Sequence, residues 1–477
     1  LLLQLWFQVW IARRFGAAAD IDALQAAMAP PVVLSSLVAG SLGYAFVPSF
    51  VRLWQSEKQS RTESTAAWEL ASGLLTIVGL SAGFVALVGW WCSESLVGLL
   101  YAGFDRPQQA LTARLWRILI WLTVSGSLNS VLQAIHQGRQ RFFLPAISGI
   151  AGTGYTLLHC LIREPGPEDL AWAILLGGFI AVAVQLPPLF RYWQFSAAGL
   201  RSTTQTFILL LPLLLGMAYT RIDPLVDRVI AASLPAGAIS HLGYAGRITT
   251  ALLTISVSSL SLVAFPRLAA AAASGDPKRL TQQLGTSLAW VIRVTVPIVV
   301  GCLVFATPIV HDLFERGAFT PHDTSIVAQL LMLSMGFLVG AAIGELVAKG
   351  FYALHDTWTP TIVGATALTI GIAMKLAMVE SFGIAAIVLA SAVYYLGSTV
   401  AMIVLLTRRS GTAFLKPLPS ALAWSIACTI PAVALAWGSL RWWPSAGIWL
   451  AGPLAAAGYF LSLYATRHHQ GAEFERL

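Results

Sequence analysis

Leu74–Trp91 reads LLTIVGLSAGFVALVGWW, a run with no charged residue. As an α-helix it is about 27 Å long, close to the roughly 30 Å hydrocarbon core of a bilayer. A transmembrane strand needs only about ten residues, and they alternate apolar with polar. This run is too long and does not alternate. Ile384–Leu406 is a second stretch of the same kind. In lipid every backbone polar group must be satisfied internally, so such runs span as helices.

The rest of the chain agrees. Of 477 residues, 57% are hydrophobic and only 10% are Asp, Glu, Lys or Arg. Soluble domains carry about 25% charge. Too little charge remains to cover a water-facing surface, and mean hydropathy is +0.75. A cytosolic enzyme, a disordered chain and a nucleic-acid binder are excluded. The net charge of +8 is read as membrane topology. Tryptophan pairs such as Trp90-Trp91 and Trp442-Trp443 suit interfacial belts. Cys92, Cys160, Cys302 and Cys428 are far apart and lack metal-ligand spacing. No cofactor or metal is implied, and no Walker A, HExxH or GxSxG pattern is present. The chain begins with Leu1 rather than Met, and an incomplete first helix is one reading of that start.

The reading gives an all-α polytopic membrane protein with about fourteen spans. The first six are Leu1–Phe15, Ala29–Trp54, Ala71–Trp91, Leu115–Ile135, Phe143–Ile162 and Leu170–Leu189. The next six are Phe207–Ala231, Tyr244–Leu268, Leu288–Leu313, Val327–Tyr352, Thr361–Val379 and Ile384–Leu406. Leu418–Leu440 and Ala446–Tyr464 complete the set. Sixteen basic residues, among them Lys58, Arg141, Lys278 and Lys416, follow even-numbered spans or lie in the C-terminal tail. Eight follow odd-numbered spans. The positive-inside rule then places both termini in the cytoplasm.

Two motif pairs recur six spans apart. Ala45-Phe46-Val47-Pro48 returns as Ala264-Phe265-Pro266, 218 residues on by proline. Phe143-Leu144-Pro145-Ala146-Ile147 returns as Trp358-Thr359-Pro360-Thr361-Ile362, 215 residues on. Near-equal offsets argue for a duplicated six-helix unit, and an even number of spans makes the copies parallel. The expected division is 1–200, 201–410 and an appended pair of helices over 411–477.

Ionisable residues inside spans are expensive and mark cavities, partners or pathways. The seventh span carries Arg221, Asp223, Asp227 and Arg228. Local pairing near an interface and a functional cluster are both open readings there. Arg247 lies about one turn into the eighth span with no acid beside it in sequence, which favours a cavity. Lys375 sits deep in the eleventh span, as a cavity group or a structural one. Glu345 and Lys349 have the spacing of a local ion pair, and Arg293 suits an interfacial anchor. Pro30-Pro31 open the second span or bend it into a gate. Ser125, Ser127, Asn129, Ser130 and Gln133 polarise the fourth, as inter-helix glue or as a cavity wall.

Several stretches together resemble the MurJ/MviN flippase family. Leu313-Phe314-Glu315-Arg316-Gly317-Ala318-Phe319-Thr320 resembles its LFxRGAFT loop. Phe351-Tyr352-Ala353 through Asp356-Thr357-Trp358-Thr359-Pro360 resembles FYAxxDTxTP. Leu225-Val226-Asp227-Arg228 through Tyr244-Ala245-Gly246-Arg247 resembles VDRxxA…YAxR, and Arg13-Arg14-Phe15-Gly16 with Asp22-Ala23 resembles the family's start. The chain departs from it in two places. Phe7-Gln8 stand where the family has an arginine and an acid, and Leu34 replaces the arginine of a PNLxR pattern.

The resemblance implies a MOP/MATE-like exporter in the bacterial inner membrane. Two six-helix lobes would surround a cationic cavity, and the last two helices would form a groove for a lipid tail. The implied cargo is lipid II, an undecaprenyl-diphosphate-linked peptidoglycan precursor. The implied partners are this polyprenyl-linked lipid, membrane lipids, and cell-wall or exopolysaccharide assembly proteins; nucleic acid is not among them. Arg247 matches the family's cavity arginine. Lys375, Arg221, Asp223, Asp227, Arg228, Arg13 and Asp22 are the further candidates for binding. Pro31, Glu315, Arg316 and Gly317 are candidates for a gate or loop. The missing arginines leave open another undecaprenyl-linked oligosaccharide, or a non-transporting envelope scaffold. A MATE-like cation antiporter would want an anionic cavity, whereas the excess here is basic.

Single cysteines placed at Lys58, Arg141, Lys278 and Lys416 should resist a membrane-impermeant thiol reagent in intact cells. Labelling of two or more from outside would reverse the orientation.

Overall fold

A computed structural model describes residues 2–60, 66–190, 221–258, 268, 271, 277–354, 356–442 and 447–467. The Ala264-Phe265-Pro266 copy of the repeat and most of the expected seventh span lie outside the described residues. Among those described, the elements are helices. Nine of them, counted within these residues, are long and apolar enough to cross a membrane. Leu80, Phe84 and Leu87 form an exposed apolar stripe along one such helix, as a lipid-facing surface requires.

The chain divides into two compact units. The first comprises Leu1–Ile11 and Ala17–Ser240, the second Ala12–Gly16 and His241–Leu477.

The first unit contains the body of α1 (Leu2–Phe15), α2 (Ala19–Ser60), α3 (Ala66–Trp91) and the short α4 (Ser93–Leu100). It continues with α5 (Arg106–Leu119), α6 (Leu122–Gly138), α7 (Phe143–Arg163), α8 (Pro167–Gln185), α9 (Pro187–Phe190) and α10 (Asp223–Ala231). Phe46, Phe50, Trp68, Leu74, Val131, Leu132 and Ile135 from α2, α3 and α6 make its core. Arg139, which caps α6, lies over the rings of Trp54 and Trp68 at 5.4 and 5.1 Å. Lipid does not drive such packing hydrophobically; close van der Waals contact and buried polar bonds hold it.

The α2 helix differs from the sequence reading. It starts ten residues earlier than the span limit Ala29 and runs through Pro30 and Pro31. Asp20 and Asp22 in its first turn suit the positive end of the helix dipole. Pro30 has no N–H to give the carbonyl of Ala26. The hydroxyl of Tyr101, a fully buried side chain, donates to that carbonyl at 2.9 Å. Ser35 donates to the carbonyl of Pro31 at 2.7 Å. With the Ala26 carbonyl satisfied in this way, the helix passes two prolines without an end.

The second unit holds most of α11 (Ala238–Leu253), then α12 (Pro277–Phe314), α13 (Pro321–Ala353), α14 (Trp358–Phe382) and α15 (Ile384–Ser410). Helices α16 (Leu418–Trp442) and α17 (Gly447–Arg467) follow. Phe305 leaves helical geometry three residues before Pro308, the kink that an interior proline imposes. Thr320 and Asp323 form a reciprocal capping box at the start of α13. Leu284, Leu288, Leu346, Phe351, Leu406 and Phe414 form the core. Phe305 packs with Ala436 and Ala451 of the last two helices.

The end of α1 is fastened within this second unit. Ala318 donates its N–H to the carbonyl of Arg13 at 2.9 Å. Gly16 and Gly317 both have positive φ, 61° and 65°. A Cβ on Gly16 would lie 2.4 Å from the oxygen of Ala318, and one on Gly317 would lie 2.2 Å from the oxygen of Arg13. Two backbone strands touch here with no room for any side chain. Phe314, Phe319 and Tyr244 pack together beside the contact.

Gly317→Ala should destabilise the protein by at least about 1–3 kcal/mol, from left-handed strain alone. Its thermal unfolding midpoint in detergent should fall below that of Gly397→Ala, where a Cβ meets open space. Equal midpoints would remove the interlock.

Candidate functional site

The start of α11 is the most heavily tied helix end among the candidates. Asp22 is 2% exposed, and its carboxylate accepts three hydrogen bonds inside the first unit. They come from the N–H of Gly237 at 2.6 Å, the N–H of Ser240 at 2.7 Å and the hydroxyl of Ser240 at 2.5 Å. The first amides of a helix lack intrahelical partners, and a carboxylate there also meets the positive dipole end. Asp22 therefore acts as the cap of a helix that lies 218 residues further along the chain.

Within the second unit the same helix is held at His241, whose Nε2 lies 2.8 Å from Oδ1 of Asp323. It is held again at Tyr244, whose hydroxyl donates to the carbonyl of Gly16 at 2.8 Å. Arg247 lies one turn past Tyr244 and is exposed. Its guanidinium thus stands on a helix whose first turns are fixed by buried hydrogen bonds.

The other candidates fall into separate groups. Asp223 opens α10 and Asp227 lies one turn on, both half-buried, while Arg221 is exposed. Arg228 donates from Nη1 to the carbonyl of Pro224 at 3.0 Å. Its Nε is buried without a hydrogen-bond partner among the described residues, and Tyr101 and Asp227 are its electrostatic neighbours. Lys375 is fully buried, with Nζ 5.5 Å from the ring of Tyr394. Arg13 and Gly317 meet at the backbone interlock. Arg316 is exposed and donates to the carbonyl of Asp312 at 3.0 Å. Glu315 accepts from the hydroxyl of Thr324 at 2.5 Å. Pro31 is buried inside α2. Lys349 pairs with Glu345 at 2.9 Å.

Asp356, in the stretch that resembles FYAxxDTxTP, caps α14. It accepts from the hydroxyl of Thr359 at 2.6 Å and from its N–H at 2.9 Å, and it pairs with Arg409. These bonds, the Thr359 hydroxyl first, hold its carboxyl below the usual carboxylate range.

Leu34 lines a cavity of about 120 Å³ in the first unit, between α2, α3 and α6. The hydroxyls of Thr123 and Ser127 also line it and are buried without partners among the described residues. The polar stripe of the fourth span thus divides. Thr123 and Ser127 face the cavity, while Asn129 accepts from Gln185 at 2.6 Å. No group of three or more His, Cys, Asp or Glu among the described residues is placed to hold a metal.

Sequence reasoning missed Tyr101, Gly237, Ser240, His241 and Tyr244. Their partners lie tens to hundreds of residues away. Asp323 carried a signal, since Thr320-Pro321-His322-Asp323 has capping-box spacing.

The family model described as lipid II flippase MurJ matches residues 11–451. The lipid II flippase MurJ of Burkholderia cenocepacia is 27% identical over 385 residues, covering 76% of this chain and 72% of that protein. The probable lipid II flippase MurJ of Haemophilus influenzae is 27% identical over 452 residues, covering 87% and 86%. A solved lipid II flippase MurJ in an inward closed conformation superposes with a TM-score of 0.80 at 18% identity, covering 98% and 97%. An inward-facing MATE family transporter of the MOP superfamily superposes with a TM-score of 0.71 at 14% identity, covering 86% and 94%. The fold is accordingly that of the MOP superfamily, and with the family model matched over residues 11–451 the chain belongs to the lipid II flippase MurJ family.

Proposed function

We propose that this multi-pass protein flips lipid II across the bacterial inner membrane, from the cytoplasmic to the periplasmic face. The observation that carries the reading is Arg247, an exposed guanidinium on a membrane helix whose first turns are fixed, in a chain matched to the family along nearly its whole length. A guanidinium pairs with phosphate oxygens through two parallel N–H bonds, which an ammonium does not copy. Arg247 takes the diphosphate of the head group, and Arg221, just before α10, and Arg228 within it assist. The polyprenyl tail stays in lipid, along α16 and α17. Two lobes rock to open the head-group site to one side and then to the other. Both termini lie in the cytoplasm. Peptidoglycan assembly proteins are the natural partners of such a step.

Phe7 and Leu34 favour a second reading with the same mechanism. With fewer cations for a diphosphate, the cargo is another undecaprenyl-linked oligosaccharide.

Arg247→Ala should reduce cargo movement at least about thirtyfold, given the roughly 2–5 kcal/mol lost when one member of a shielded charge pair is truncated. Arg247→Lys should retain a fraction. The measurement is lipid II translocation in proteoliposomes, with complementation of a flippase-depleted strain, both normalised to protein level. Wild-type movement in the alanine variant would exclude Arg247 as the cargo group. Asp22→Ala should act differently, because it strips buried amides of their acceptor at about 1–3 kcal/mol. Lower thermal stability should accompany its loss of transport, and Asp22→Asn, with one oxygen kept, should fall between.

A further inference from the structure

We propose that His241 is a positioning residue, joining the first turn of α11 to the capped start of α13 and so aiming Arg247. The inference rests on the reading of Arg247 as the cargo-binding group. His241 and Asp323 are 7% and 9% exposed, and Nε2 and Oδ1 are 2.8 Å apart. The carboxylate of Asp323 is itself anchored. Its Oδ2 accepts from the N–H of Thr320 at 2.8 Å and from the Thr320 hydroxyl at 2.7 Å. Oδ1 is therefore presented from a fixed post rather than from a free side chain.

One tether on a helix leaves it able to pivot, and a second about one turn along limits that motion. Successive helical residues are turned by about 100°, so His241 and Tyr244 project about 60° apart. Tyr244 is tied to the backbone of Gly16, within the Arg13–Ala318 interlock. Arg247 follows a further turn along. A roll of about 20° carries a point on the outer radius of a helix by about 2 Å. Misplacement of about 1 Å already costs heavily where a fork must meet two oxygens. The bond from His241 to Asp323 adds to the Tyr244 tether in limiting this roll.

Imidazole donates from Nε2 both as the imidazolium and as the Nε2–H tautomer. A glutamine amide reaches a similar point and donates without titrating. Asparagine is too short, and leucine cannot donate.

The test uses the full chain in proteoliposomes with lipid II as probe and four single variants: His241→Gln, His241→Leu, His241→Asn and Arg247→Ala. His241→Leu should slow translocation at least tenfold, and His241→Gln should stay within twofold of wild type. The double variant His241→Leu/Arg247→Ala should be no slower than Arg247→Ala alone, because His241 acts through that residue. If the leucine variant fails to fold, His241→Asn takes its place in each comparison. A leucine variant at the wild-type rate, a glutamine variant as slow as leucine, or a double variant slower by the product of the two effects would each overturn the proposal. Wild-type translocation by Arg247→Ala would instead overturn the cargo reading beneath it. An inactive Arg247→Ala beside a normal His241→Leu would remove only the role of His241.

Discussion

Hydrocarbon offers no partner to a backbone amide or carbonyl, and each one left bare costs several kcal/mol. At several places among the described residues where a helix starts or is crossed by a proline, a side chain stands in. Tyr101 serves the carbonyl that Pro30 leaves without a donor. Asp22 serves the amides that open α11. Asp323 with Thr320 opens α13, and Asp356 opens α14. These groups read as chemistry in a membrane protein, where ionisable residues are rare. Their bonds make them the joints that hold functional helices in place. The three carboxylates differ in setting, since Asp22 is deeply buried while Asp356 lies at a loop and also holds Arg409.

The cations show the complementary pattern. Lys375 is the most deeply buried, and its ammonium faces the ring of Tyr394. A cation–π contact repays part of the cost of desolvating an ammonium, and it ties α14 to α15. Arg247 is exposed, on a helix whose orientation is fixed elsewhere. Arg228 lies between, with a buried Nε that lacks an acceptor among the described residues. In the first unit Leu34 leaves a cavity wall without charge, where two hydroxyls have no partner among the described residues. A cavity of that size and polarity suits a few ordered waters rather than a phosphate.

The helices were legible because lipid imposes a long, unbroken apolar run, and Leu74–Trp91 shows it without help from any other residue. The family was legible from short motifs such as Arg316-Gly317-Ala318-Phe319. Why those motifs exist was not. The glycine of that loop is needed because Arg13, about three hundred residues earlier, brings its carbonyl against it. The start of α2 was placed too late because two adjacent prolines read as a helix opening. The side chain that lets the helix continue, Tyr101, is distant in sequence. Asp22 read as a candidate ligand for the same reason, since no local pattern shows that its oxygens are already engaged.

Loss of cavity arginines has a consequence under the proposed cycle that does not depend on which saccharide is carried. Over one full cycle the protein returns to its starting state, so its own charges contribute no net charge movement. The protein's own cations decide only which half of the cycle feels the membrane potential, at about 2.3 kcal/mol per charge per 100 mV. A site rich in arginine neutralises the diphosphate, so the loaded step is nearly electroneutral. The empty, positively charged site is then drawn back toward the negative interior. With Phe7 and Leu34 where the family has arginines, the loaded site keeps more of its negative charge. An interior-negative potential then drives the loaded step outward directly, while the empty return loses its pull. The same total work is delivered at a different step, and fewer fixed cations are needed to hold the cargo.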